Sequence, residues 1–188
     1  MLQIRNLSNV FQKRLIRPLY AQTQATPWAG TLDASLRNAD GSVRVPQNGD
    51  SNPTRSANAY SLQGGLVPGT VMIKGAGEAF KVASGANVAE RPAGLLANFV
   101  GGTLDDIKDN NEIGVWYGPG SQFELLTPAW DDTGLAAAYA AATPGSPVLL
   151  YAGTDGRLVY NASPGSRLPV AELVERRSAS VIQIKLLV

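Results

Sequence analysis

The acidic run "DDIKDNNE" places Asp105, Asp106, Asp109 and Glu112 within eight residues, and carboxylate and amide oxygens at that density are what a calcium ion takes as ligands. The spacing lacks the alternating acidic positions and the glycine of an EF-hand loop, so a solvated acidic turn at 105–112 is the commoner outcome. Glycoside hydrolysis needs two carboxylates flanking one bond, and Glu112 with Glu124, or Asp131 with Asp132, offer such pairs, though pairs of acids occur in almost any chain. "NGDSNP" carries the Gly-Asp-Ser of some esterases but lies in a polar stretch rather than after a strand, and "GAGEAF" lacks the third glycine of a dinucleotide loop. Trp28, Trp116, Tyr117 and Trp130 have the flat faces that stack on sugars, which makes a carbohydrate-binding β-module the alternative reading; buried aromatics or subunit anchors are their commoner fate.

The chain of 188 residues contains no histidine and no cysteine. The first absence removes the commonest general base, the commonest zinc ligand and every Ser-His-Asp arrangement; the second removes disulfides and thiolate metal sites. No catalytic, cofactor or metal site is expected. A net charge of +1 does not suit a general nucleic-acid binder. That average hides a gradient: +4 over residues 1–60, −5 over 61–132 and +2 over the remainder. Such asymmetry suits a molecule that docks by its ends or packs against copies of itself, and solvated surface charge is the blander explanation. No stretch reaches the roughly 20 apolar residues of a membrane span, so no membrane partner is expected.

These side chains must be carried by local elements. "NLSNVFQKRLIRPLY" spaces Leu7, Val10, Phe11 and Leu15 as one helical face, with Lys13, Arg14 and Arg17 mostly off it, and predicts a short amphipathic docking helix stopped by Pro18. From Ala21 to Gly65 the chain is rich in Asn, Ser, Gly and Pro and buries too little apolar surface to offset its own ordering entropy. Trp28 and Leu32 read there as isolated anchors along a neighbouring surface. After Gly65 come short strands divided by turn residues: around Val71 to Lys74, through Phe80 and Val82, in "AGLLANFV", then through Ile113 and Val115, Phe123 and Leu125, Val148 and Leu150, Leu158 and Tyr160, and Val170 and Leu173. "DDTGLAAAYAAATPG" is the helical candidate among them, with Asp131, Asp132 and Thr133 as caps. "SVIQIKLLV" alternates, with Ile182, Ile184, Leu186 and Val188 on the face predicted to line a barrel. The expected fold is mainly β: a small β-barrel or sandwich domain over 65–188 behind a long extended N-terminal arm, 1–64.

Two stretches are faintly alike. "PGTVMIKGAGEAFKVASGANVAERPAGLL" and "PGSPVLLYAGTDGRLVYNASPGSRLPVAELV" share a Pro-Gly turn, an apolar strand, a glycine turn, a second strand, and an arginine before a closing apolar run. Similar hairpins within one domain suffice to explain them.

The run "TPGSPVLLYAGTDGRLVYNASPGSRLPVAELVERRSASVIQIKLLV" resembles the closing half of tailed-bacteriophage capsid cement, or head decoration, proteins, in which a "Gly-x-x-Val-x-Leu" strand, an "Asp-Gly-Arg-Leu" turn and a final "Ile-x-Ile-x-Leu" strand recur. "GLVPGTVMIKGAGEAFKVA" and "ERPAGLLANFVGG" resemble its opening half. The likeness spans about residues 65–188 and leaves the arm outside it. It implies a non-enzymatic virion protein on the outer surface of the capsid, commonly a homotrimer, whose partner is the major capsid protein, with no direct contact to nucleic acid. Valency multiplies the weak contacts of such a protein. Phe11, Arg14, Arg17, Trp28, Leu32, Trp116, Tyr117 and Trp130 are the candidate partner-binding residues.

Overall fold

The computed structural model describes residues 16–20, 28–32, 65–66, 68–77, 79–85, 90–97, 100–101, 112–127, 129–154 and 156–188. Thirteen strands and one short helix are assigned among them. The strands are β1 Ile16–Tyr20, β2 Trp28–Leu32, β3 Gly65–Leu66, β4 Val71–Lys74, β5 Ala79–Val82, β6 Pro92–Leu96, β7 Val100–Gly101, β8 Glu112–Trp116, β9 Gln122–Leu126, β10 Leu149–Ala152, β11 Leu158–Tyr160, β12 Ala171–Arg176 and β13 Val181–Leu186; the helix, α1, is Leu135–Ala141. The fold is mainly β, as the alternation of apolar and polar residues predicts.

The strands form two units built to one plan. β2-β5-β4-β6-β8 closes into a five-stranded barrel, and β1-β9-β13-β12-β10-β11 forms a six-stranded sheet. In the barrel β4 pairs with β5 on one side and β6 on the other, and β6 continues to β8 and β8 to β2. In the sheet β10 pairs with β11 and β12, β12 continues to β13 and β13 to β9. The correspondence holds residue by residue. Met72 faces Val82 and Gly94, as Leu150 faces Tyr160 and Ala171; Leu95 faces Trp116, as Glu172 faces Lys185.

The hairpin turns agree as well. Gly75 N–H donates to the Ala79 carbonyl and Gly153 N–H to the Arg157 carbonyl, both at 2.8 Å. Each unit is entered through a Pro-Gly turn whose glycine, Gly69 or Gly145, has φ near +85°, a conformation that L side chains avoid. The two alike stretches are therefore the matching halves of two modules.

The closing strand is where the modules diverge. β2 pairs antiparallel with β8 and parallel with β5, which seals the barrel. In the second module β9 takes that place beside β13, but only the segment after it reaches β11. Trp130 bridges Leu158 in parallel, Leu158 N–H donates to the Ala129 carbonyl at 3.2 Å and Asp131 N–H to the Leu158 carbonyl at 2.9 Å. Ile182, Ile184 and Leu186 are fully buried, as their alternation predicts. They lie in the open six-stranded sheet, however, and not in the closed barrel, because β13 pairs with β9 and β12.

Two apolar clusters follow from this arrangement. Leu66, Met72, Phe80, Val82, Leu96, Ile113 and Val115 fill the barrel. Val71, Ile73 and Leu95 alternate with Met72 and Leu96 along β4 and β6, so they face outward from the barrel, where they join the cluster of the second module around Phe123, Leu150, Leu173, Ile182 and Ile184. β4 is consequently buried on both faces, and one continuous core crosses the join. Val71 N–H donates across that join to the Gly156 carbonyl at 2.7 Å.

Two local expectations change. Residues Ile16–Tyr20 form a strand rather than the end of a helix stopped by Pro18, since Ile16, Arg17 and Pro18 pair with Leu125, Glu124 and Phe123. Proline is tolerated there because β1 is an edge strand. The positions Leu7, Val10, Phe11, Arg14 and Leu15 lie outside the described residues. Helix α1 forms where the alanine-rich run predicts it, but Gly134 occupies the N-cap, and Asp131 instead accepts from the Thr133 N–H at 2.8 Å.

Candidate functional site

The side chains that β9, β12 and β13 do not bury form a broad polar face on the outside of the sheet. Phe123, Leu173 and Ile184 point inward, and their neighbours Glu124, Glu172 and Lys185 therefore point out. Arg17, Glu124, Gln183 and Glu175 stand in register across β1, β9, β13 and β12, forming one straight row. Glu124 lies between two guanidinium groups, Arg17 at 2.9 Å and Arg177 at 2.9 Å, and Arg177 also reaches Glu175 at 3.0 Å. The Glu175 and Glu124 carboxylates hold the Arg177 guanidinium further above its ordinary value. Lys185 pairs with Glu172 in the next row.

Two apolar side chains flank these charges, Leu19 on β1 and Val174 on β12. Val174 is pushed out by a bulge, where the register shifts between Leu173 and Glu175. Such a face presents alternating charge with balanced sign, suited to many shallow contacts rather than to enclosing a small molecule.

Asp131 and Asp132 are likewise held in ion pairs, and Glu90 accepts from the Ser84 N–H at 2.9 Å. Asp132 takes Arg176 in two bonds, at 2.8 and 2.6 Å. The Thr133 hydroxyl and backbone N–H, with Arg157 beyond them, hold the Asp131 carboxyl below its ordinary value. A glycosidase acid needs the opposite shift. Glu124 and Asp131 are thus engaged by arginines, and the side chain of Glu112 lies outside the described residues. Among the described residues no group of acids is arranged to hold a metal ion; Asp105, Asp106 and Asp109 fall outside them.

The structure separates the residues singled out by sequence. Arg17 is exposed on the edge strand of the polar face. Tyr117 is 46% exposed just beyond β8. Trp116 is half-buried at the join between the modules, its ring tilted against Phe123 with centroids 5.5 Å apart. Trp130 is buried in the core, and its indole N–H has no partner among the described residues. Trp28 and Leu32 are at backbone level part of β2, and their side chains, like all of Phe11 and Arg14, lie outside the described residues. Trp116, Tyr117 and Trp130 do not make a flat exposed platform of the kind a sugar ring stacks on.

Sequence reasoning missed the row through Glu124, Gln183 and Glu175. Its signal was available in "QFELL", "AELVERR" and "VIQIKL", whose polar positions alternate with the buried ones.

One family model, described as phage cement protein, matches residues 2–44 and 58–187. No curated protein and no solved structure matches the chain.

Proposed function

The chain belongs to the phage cement protein family, and on that footing we propose that it binds the outside of an assembled phage head and stabilises contacts between neighbouring major capsid subunits. Its class is structural rather than catalytic, and its place is the outer surface of the virion. The observation that carries the reading is the family match, which spans both modules and much of the N-terminal region. The polar sheet face supports it, because many shallow contacts repeated over a lattice gain affinity through valency.

In this reading the protein acts as a homotrimer and touches neither nucleic acid nor membrane. Residues 1–64 are the reaching part, tied by β1 and β2 to a body formed by 65–188. Phe11, Arg14 and Arg17 meet the capsid and Tyr117 packs at a subunit boundary, while Trp116 and Trp130 hold the surfaces in shape from within. The test is to mix purified protein with expanded heads that lack it. Saturable binding with a higher temperature of head disruption is the expected result. Heads that neither bind the protein nor gain stability would refute it.

A further inference from the structure

The two modules differ in how much chain separates the closing strand from the first hairpin. From Leu126 to Leu149 the second module uses residues 127–148, and from Leu32 to Val71 the first uses residues 33–70 for the same crossing from closing strand to first hairpin. The path is 22 residues in the second module and 38 in the first. The surplus lies in 33–64, rich in Asn, Ser, Gly and Pro, which can reach roughly 100 Å when extended. On its other side β2 is joined to β1 by residues 21–27, a link that spans roughly 25 Å when extended. A neighbouring barrel within that distance of β1 is therefore as open to β2 as its own.

The place it fills is a seam. Without β2, β5 and β8 would be unpaired along facing edges, and the interior residues Phe80, Val82, Ile113 and Val115 would meet water there. Every copy has the same seam and the same strand, so a strand from a neighbour makes the same pairs as a copy's own. Charge brings copies together: residues 1–60 carry +4, and residues 61–132, which hold the seam, carry −5.

We propose that in the oligomer β2 closes the barrel of a neighbouring copy of this chain. This rests on the homotrimer reading. Each subunit gives one strand and takes one, so a three-membered ring closes with every seam filled. Backbone hydrogen bonds then tie the subunits of a protein whose role is to resist being pulled apart.

The absence of cysteine makes the test direct. In the full-length chain, Thr31→Cys with Glu112→Cys places one thiol on β2 and one opposite it on β8. Thr31→Cys with Ala79→Cys reads the same seam through β5. Oxidation should give covalent dimers and trimers on a non-reducing gel, and a co-expressed mixture of Thr31→Cys and Glu112→Cys chains should cross-link between chains. Cross-links confined to single chains, in a protein that light scattering shows to be a trimer, would overturn the exchange and leave the trimer standing. A monomer in light scattering would overturn both. No cross-link from either pair would also overturn the exchange, since β2 would then lie in no seam.

Discussion

The two modules share strand order, the first hairpin turn and register, yet one is sealed and the other is not. The barrel is closed by β2 and filled by its own side chains, Met72, Phe80, Leu96 and Val115 among them. The sheet around β13 is held at its open side by the Trp130–Leu158 bridge, and its inner face packs against Val71, Ile73 and Leu95 from outside the barrel. A repeated sequence plan therefore does not give two independent domains: the second core is completed by the first module's surface. The outer faces show the same asymmetry. Where the barrel has Leu95 facing Trp116, at the join, the sheet has Glu172 facing Lys185, in solvent.

Exchanging those equivalent positions should break the comparison most sharply. Leu95→Glu puts an unpaired charge into the join and should cost about 4 kcal/mol or more, a large share of a domain's stability. Glu172→Leu should leave stability nearly unchanged in urea titration and instead promote self-association at high concentration. Interior truncations come next. Phe80→Ala in the barrel should cost about 3 to 5 kcal/mol and Ile184→Ala in the sheet about 2 to 5 kcal/mol. Because one core crosses the join, both should lower a single calorimetric transition; two separate transitions would show that the modules melt independently.

Gly94 and Ala171 occupy one position in the two modules, and they should not be interchangeable. A Cβ on Gly94, which has φ +149°, would collide with the Trp116 carbonyl oxygen. Gly94→Ala should therefore cost about 2 to 3 kcal/mol, as overpacking does. Ala171→Gly should cost about 1 kcal/mol through chain entropy. Equal melting temperatures for the two variants would contradict the register match. Lys185→Ala on the outer face should change the stability of the isolated protein by less than about 0.5 kcal/mol, with its effect appearing as weaker attachment to heads.

The smallest effect concerns pH. The depressed Asp131 carboxyl contributes stability that is complete above its unfolded value and is lost as pH falls through the lower folded value, below roughly pH 4. Asp131→Asn should flatten the acid limb of the melting-temperature profile and leave the neutral range unchanged. An acid limb identical to that of the parent would remove Asp131 from the account.

The strands after Gly65 were legible because "VMIK", "QFELL" and "VIQIKL" alternate or cluster apolar residues between turn residues. β1 and β2 were not. "IRPLY" contains a proline and follows a helix-like spacing, and "WAGTL" has small residues where a strand usually shows β-branched ones. Both acquire their conformation from partners far along the chain, Leu125 and Val115, so no local signal exists to read. The likeness of the two hairpin stretches was visible, but their assembly into two modules rests on pairings with β8 and β13 that spacing alone does not encode. Of the candidate contacts, Arg17 and Tyr117 are exposed, whereas Trp130 is a core residue because its bridge to Leu158 draws it inward.

The shared core also sets an order in time. The last strand of the barrel is complete at Trp116, but the sheet that covers Val71, Ile73 and Leu95 needs β13, which lies between β9 and β12 and is finished only at Leu186. About 70 residues of synthesis separate the two events, or roughly 4 to 14 seconds at the usual pace of translation. Throughout that interval every ribosome making this protein holds out an uncovered apolar surface, at the moment when chaperones and other nascent copies are within reach.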